Sequence, residues 1–233
     1  MAKPPPSTNL DSLARDFIEA GMNEQAAQIL VAALPLFAEK GYAATTVREI
    51  VRAADVTNPM LYYYFDSKKG VFLALMNVLI DSMAETVEEV LDEYDDIEAR
   101  LRAVAQAHFD ACGNAPEVLR FVYSVLFGPV RSRPTYDVAC TYQTIHHLVT
   151  QALTDAIDSG QFQPRSMFSP QQLTEQFMGL INLHLMNVLT LYEQSETQSG
   201  FDESSEEYLG EEALNGMLEF YFHGAGTLAT EKS

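Results

Sequence analysis

Between Ala54 and Gly70 the chain reads ADVTNPMLYYYFDSKKG. Thr57, Asn58, Met60, three consecutive tyrosines and the pair Lys68–Lys69 fall within this short stretch. Exposed phenols are large and stiff, and each ends in a hydroxyl that can donate to a phosphate oxygen. An asparagine amide can pair bidentately with adenine, and an apolar side chain such as methionine can lie on a thymine methyl. Cations in the first turn of a helix oppose its macrodipole, at a cost that an anion held there would offset. For the lysines the alternative is that they are solvated and that Asp66 or Ser67 caps the following helix.

The elements that must carry these groups are helices. In a helix over TNPMLYYYF, Leu61, Tyr64 and Phe65 stand at i, i+3 and i+4 and share one apolar face, which should pack on Phe37, Val47 and Ile50. Asn58, Pro59, Tyr62 and Tyr63 then face outward. Thr57 is expected to cap this helix, and Pro59 is tolerated in its first turn. Upstream, a helix is expected over Asn23–Lys40, stopped by Gly41 and kinked at Pro35, followed by a short Thr-capped helix in TTVREIVRAA. "DV" makes the turn between the two short helices, and a long helix runs from about Ser67 to Tyr94. Three short helices and a long one, with a tight turn between the second and third, form a helix-turn-helix architecture, in which the N-terminal end of the third helix meets base edges.

Helical periodicity continues to the end of the chain, without strand-like alternation. Further helices are expected at about Asp96–Cys112, Pro116–Phe127, Tyr136–Ser159, Pro170–Glu193 and Glu207–Ala229. The opening KPPPS reads as a disordered arm and LDSLARDFIEA as a short extra helix. The domains are set at 1–21 for this arm, 22–82 for the helix-turn-helix domain and 83–233 for the remainder.

The chain has 233 residues and a formal net charge of −19, which argues against a nonspecific nucleic-acid binder. Residues 1–70 carry seven Lys/Arg and eight Asp/Glu, whereas residues 71–233 carry seven and 25. Either the whole surface is merely well solvated, or only the first part can approach another polyanion. No uninterrupted apolar run approaches the roughly 18–20 residues of a membrane helix, and no signal peptide is evident, so no membrane partner and a cytoplasmic location are expected. The two cysteines form no C-x-x-C pair. The sequence contains no G-x-S-x-G, H-E-x-x-H, P-loop or dinucleotide fingerprint, and His146–His147 lack the i, i+4 spacing of a helical metal site; no catalytic residue, metal or cofactor is expected.

The run AAQILVAALPLFAEKGYAATTVREIVRAADVTNPMLYYYFDSKKGVFLALM resembles the DNA-binding domain of tetracycline-repressor-type (TetR) regulators over about Met22–Ser82. The resemblance implies an all-α homodimer, a helix-turn-helix domain joined by a long helix to a helical ligand-binding and dimerisation domain. It implies a repressor that holds a palindromic double-stranded operator and releases it when a small molecule enters the C-terminal domain. By position, Thr46, Arg48, Thr57, Tyr62 and Lys68 would touch phosphates, and Asn58, Pro59, Met60 and Tyr63 would face bases. Asp55 stands where the family usually has glycine in the turn, and it tolerates left-handed geometry.

By the same analogy the last two long helices form the dimer interface. Leu173, Phe177, Leu180, Ile181, His184 and Val188 keep a 3–4 spacing compatible with it, or with an ordinary core. A pocket is expected among the middle helices, with candidates His108, Phe109, Cys112, Phe121, Tyr123, Phe127, Tyr142, His146, Met178 and His184. Together they suggest a largely apolar effector with one or two polar anchors. Two other readings stay open: a DNA-binding factor without a small-molecule inducer, and a helical ligand-binding protein whose DNA domain has lapsed.

Overall fold

The computed structural model describes residues 10–129, 133–135, 138–164, 168–195 and 204–224. Among these the secondary structure is helical, without a strand. The first compact unit comprises residues up to Glu89 together with Ala111–Leu148, and the second comprises Val90–Asp110 and the chain from Val149 onward. The arm before Leu10 lies outside the described residues.

Helix α1 (Leu10–Glu19) places Leu13 and Phe17 one turn apart, and Phe17 enters the core of the first unit. Helix α2 (Glu24–Ala44) begins at Asn23, whose Oδ1 accepts a hydrogen bond from the Gln25 amide at 3.0 Å. It passes through Pro35 with helical dihedrals. The break comes at Gly41, with φ 76° and ψ 163°, a conformation that glycine adopts without steric cost. Thr45 closes this end: its buried hydroxyl donates to the carbonyls of Leu36 and Gly41.

Helix α3 (Val47–Ala53) opens with a capping box, in which Thr46 Oγ1 accepts from the Glu49 amide and Glu49 Oε2 accepts from the Thr46 amide. Asp55 then takes the left-handed conformation at φ 51°, as the turn requires. Helix α4 (Asn58–Phe65) follows, and Asp66 ends it in a second left-handed turn at φ 58°. Ser67 caps the long helix α5 (Lys68–Glu93), its Oγ accepting from the Gly70 amide at 3.0 Å. A Cβ on Gly70 would lie 1.7 Å from the Phe65 carbonyl oxygen, so only glycine lets α5 start this close to the end of α4.

The core that fixes α3 and α4 is dense and aromatic. Phe37 meets Phe72 edge-on at 5.6 Å and stacks on Phe121 at 5.9 Å, and Phe72 meets Phe121 edge-on at 5.4 Å. Phe121 lies on α7 (Pro116–Leu126), which opens with Pro116 and packs along α2. It belongs to this core. By length and composition α5 could cross a membrane. Its Val71, Phe72, Leu75 and Met76, however, lie in this protein core.

In the second unit lie most of α6 (Ile97–Asn114), the latter part of α8 (Val138–Asp158), and α9 (Pro170–Ser195), α10 (Ser204–Leu209) and α11 (Glu211–His223). The single final helix expected from Glu207 is in fact two, separated at Gly210, and the positions after Gly224 lie outside the described residues. Gln161 fastens the end of α8 to the start of α6: its Oε1 accepts from the Ile97 amide and its Nε2 donates to the Asp95 carbonyl. Thr150 on α8 and the fully buried Thr174 on α9 join hydroxyls at 2.9 Å. Tyr221 of α11 donates its hydroxyl to the Leu173 carbonyl of α9.

Candidate nucleic-acid interface

Helix α4 has two chemically opposite sides. Leu61 is fully buried, and Tyr64 and Phe65 are partly buried against the same core. Tyr64 further donates its hydroxyl to Gln25 Oε1 at 3.3 Å. Tyr62 is 49% and Tyr63 81% exposed, with Asn58 and Pro59 also exposed and Met60 half-buried. Tyr62 and Tyr63 thus put two adjacent phenols on the solvent side of the helix. The exposed Tyr63 ring meets that of Tyr64 edge-on at 5.0 Å, which limits its freedom.

Thr57 occupies the N-cap position with extended backbone, but its side chain makes no capping bond. This corrects the expected cap. The residue stands exposed at the N-terminal end of α4, beside Asn58 and Pro59. Thr46 is exposed too, yet its hydroxyl is committed to the capping box, donating to Glu49 Oε2 at 2.8 Å. Arg48 is exposed on α3, and so is Arg52 one turn on, at the i, i+4 spacing that places both on one face. Sequence reading passed over Arg52, although this spacing was available to find it.

Lys68 is turned inward. Its ammonium donates to the carbonyls of Tyr42 at 2.7 Å and Thr45 at 2.6 Å and lies 4.2 Å from the centroid of the Tyr42 ring. Burial lowers its pKa from the ordinary lysine value, and the nearby Glu49 carboxylate opposes that shift. Lys69 stays exposed. The lysine pair therefore divides, one ammonium tied to the protein and the other facing solvent.

The candidates for a ligand site divide between the two units. Cys112, Tyr123, Phe127 and His146 belong to the first; His108, Phe109, Met178 and His184 belong to the second; the side chain of Tyr142 lies outside the described residues. In the first unit, Cys112 is buried, and Tyr123 meets the half-exposed Phe127 edge-on at 5.4 Å. In the second, the His184 ring stacks on Phe109 at 4.9 Å with an 8° tilt, and His184 Nε2 donates to the Tyr208 carbonyl. Buried His108 donates Nδ1–H to the Val104 carbonyl at 2.8 Å, and burial lowers its pKa, so it is neutral with Nε2 as an acceptor. A groove of about 470 Å³ opens in the first unit between α1 and α5, and none of these candidates lines it.

A short helix seated on a core by one side, with amide, hydroxyl and phenol groups on the other, and preceded by a tight turn from a second short helix, defines a helix-turn-helix module. Residues 29–75 match the family model of bacterial regulatory proteins, tetR family. Over these residues the chain is similar to that family. It is 33% identical over 101 residues to the HTH-type transcriptional activator FasR of Mycolicibacterium smegmatis, covering 43% of this chain and 46% of that protein. It is 32% identical over 92 residues to the HTH-type transcriptional repressor KstR2 of Rhodococcus jostii, covering 40% and 45%. The chain thus spans slightly under half the length of these curated relatives. Its fold extends further: FadR from Bacillus subtilis, solved with stearoyl-CoA, superposes with a TM-score of 0.66 at 18% identity over 85% of this chain and 98% of that one. AibR, solved with isovaleryl coenzyme A and operator DNA, superposes with a TM-score of 0.62 at 20% identity over 85% and 98%.

Proposed function

We propose that the chain is a DNA-binding transcriptional regulator: a homodimeric repressor that leaves a palindromic operator when a small, largely apolar ligand binds. The observation that carries this reading is the outward side of α4, where Tyr62 and Tyr63 stand exposed beside Asn58 while Leu61 is fully buried behind them. Asn58, Pro59, Met60 and Tyr63 face bases in this reading, and Arg48, Thr57 and Tyr62 meet phosphates, with Thr46 supporting the entry to α3. It acts by binding, without a catalytic step, in the cytoplasm where the duplex is.

Dimerisation through the last two helices agrees with the apolar surface on the second unit. Leu183 and Met186 are exposed on α9 in line with Gly179, and Phe220 is exposed on α11 beside Gly216. An apolar stripe of this kind, left on a surface rich in carboxylates, fits a second copy of the same helices. Effector-binding candidates are proposed in each unit by itself: His108, Phe109, Met178 and His184 in the second, and Cys112, Tyr123, Phe127, Tyr142 and His146 in the first. Acyl thioesters lead the panel to test, because the solved neighbours FadR and AibR hold stearoyl-CoA and isovaleryl coenzyme A.

The test is an electrophoretic shift with DNA flanking the coding region, repeated across salt concentrations. A sharp shift that weakens steeply with salt supports the DNA reading. Release by one member of a panel of acyl thioesters and free fatty acids supports the inducer. A shift that no compound releases favours a factor without an inducer.

A further inference from the structure

The ammonium of Lys68 sits where two turns meet. One acceptor, the Thr45 carbonyl, lies immediately before Thr46, the N-cap of α3. The other, the Tyr42 carbonyl, lies immediately past the break of α2 at Gly41. Lys68 itself opens α5, just past Asp66, whose left-handed conformation ends α4. A single side chain therefore joins the entry of α3 to the exit of α4, the two outer ends of the helix-turn-helix. Gly70 reinforces this corner by admitting the Phe65 carbonyl against the first turn of α5.

We propose that Lys68 is a positioning residue for DNA recognition: it holds the ends of α3 and α4 in the arrangement that presents α4 to a groove and does not itself neutralise a phosphate. This rests on the DNA-binding reading above and departs from the phosphate contact that the family resemblance implies. Two of the three ammonium protons are committed to carbonyls, and the Tyr42 ring covers the cation. Moving it to a phosphate would leave two carbonyl acceptors unpaired at a partly buried corner.

The experiment uses the full-length protein and the duplex that it enriches from a random pool by in vitro selection. Affinity of wild type and Lys68→Met is measured by fluorescence anisotropy from low to high salt, well below the unfolding temperature of either. The expected result is roughly tenfold weaker binding, the size of a lost charge-assisted hydrogen bond, with an unchanged slope of log affinity against log salt. A slope shallower by about 0.9 would make Lys68 a phosphate contact and overturn the proposal. Unchanged affinity in a folded but less stable variant would make it purely structural and overturn it equally. Where Lys68→Met fails to fold, Tyr42→Leu removes the covering ring, together with its ring contacts to Phe37 and Phe72, and leaves Lys68 in place; the same pattern of weaker binding at constant slope is expected. If the pool yields no duplex the DNA reading fails on its own account. The corner is then tested by thermal unfolding of Lys68→Met, Tyr42→Leu and the double variant, where additive shifts in Tm would reject the latch and coupled shifts would support it.

Discussion

Glu49 and Lys40 meet at 2.8 Å, and the same carboxylate uses its other oxygen to close the capping box on Thr46. The end of α2 and the start of α3 are thus joined through one side chain. Its pKa falls to about 2, first through the Lys40 hydrogen bond and then through the Thr46 amide and hydroxyl. A lowered carboxylate pKa contributes stability above the unfolded value, near ~4.3, and loses it as pH falls toward the folded one. The urea midpoint of wild type should therefore exceed that of Glu49→Gln by a constant margin from neutral pH down to about 5. The margin should then narrow between about 4.5 and 3. A margin that stays constant through this interval would show that the carboxylate charge contributes nothing.

Adjacent positions on α4 should separate stability from binding. Leu61→Ala removes a fully buried side chain and is expected to cost about 2–5 kcal/mol in denaturant unfolding. Tyr63→Ala alters an exposed one and should change stability by less than about 0.5 kcal/mol while weakening DNA binding. Loss of stability in the Tyr63 variant comparable to that of the Leu61 variant would contradict the two-sided helix.

Burial pushes the Cys112 thiol up to about 12, against a smaller opposing pull from Arg120. At pH 8 the thiol then stays almost entirely protonated. In a Cys140→Ser background, which leaves only this thiol, alkylation by iodoacetamide should run at least ~100-fold slower in the native state than in urea. Equal rates would place Cys112 at the surface.

Leu183 on α9 exposes 59% of its surface. Leu183→Glu is expected to turn a dimer into a monomer in sedimentation velocity without loss of helical circular dichroism, because the carboxylate would be buried only across the partner face. A Leu183→Glu protein that sediments as a dimer would move the proposed interface elsewhere.

The sequence made the helix-turn-helix legible because local chemistry marks its boundaries. Gly41, the Thr46 box and the left-handed Asp55 each leave a residue-type signature, and the i, i+3, i+4 set Leu61, Tyr64 and Phe65 identifies the inward side of α4. What escaped was decided by partners distant in the chain. The acceptors of Lys68 are backbone carbonyls 23 and 26 residues earlier, and no side-chain pattern announces a carbonyl. Thr57 has the residue type of a cap without making the bond, and Pro35 was accommodated within α2 with helical dihedrals. The break at Gly210 sits inside a run whose apolar spacing continues on both sides, so periodicity alone carried the helix across it.

The central claim is that the exposed side of α4 reads duplex DNA. The most direct measurement compares the affinity of wild type and Asn58→Ala for the selected duplex and for a scrambled duplex of equal length and composition, at physiological salt. Wild type should prefer the selected duplex by at least ~10³-fold, and Asn58→Ala should reduce that preference by roughly tenfold or more while its affinity for the scrambled duplex stays the same. Equal affinity of wild type for both duplexes, or an undiminished preference in the variant, would contradict it.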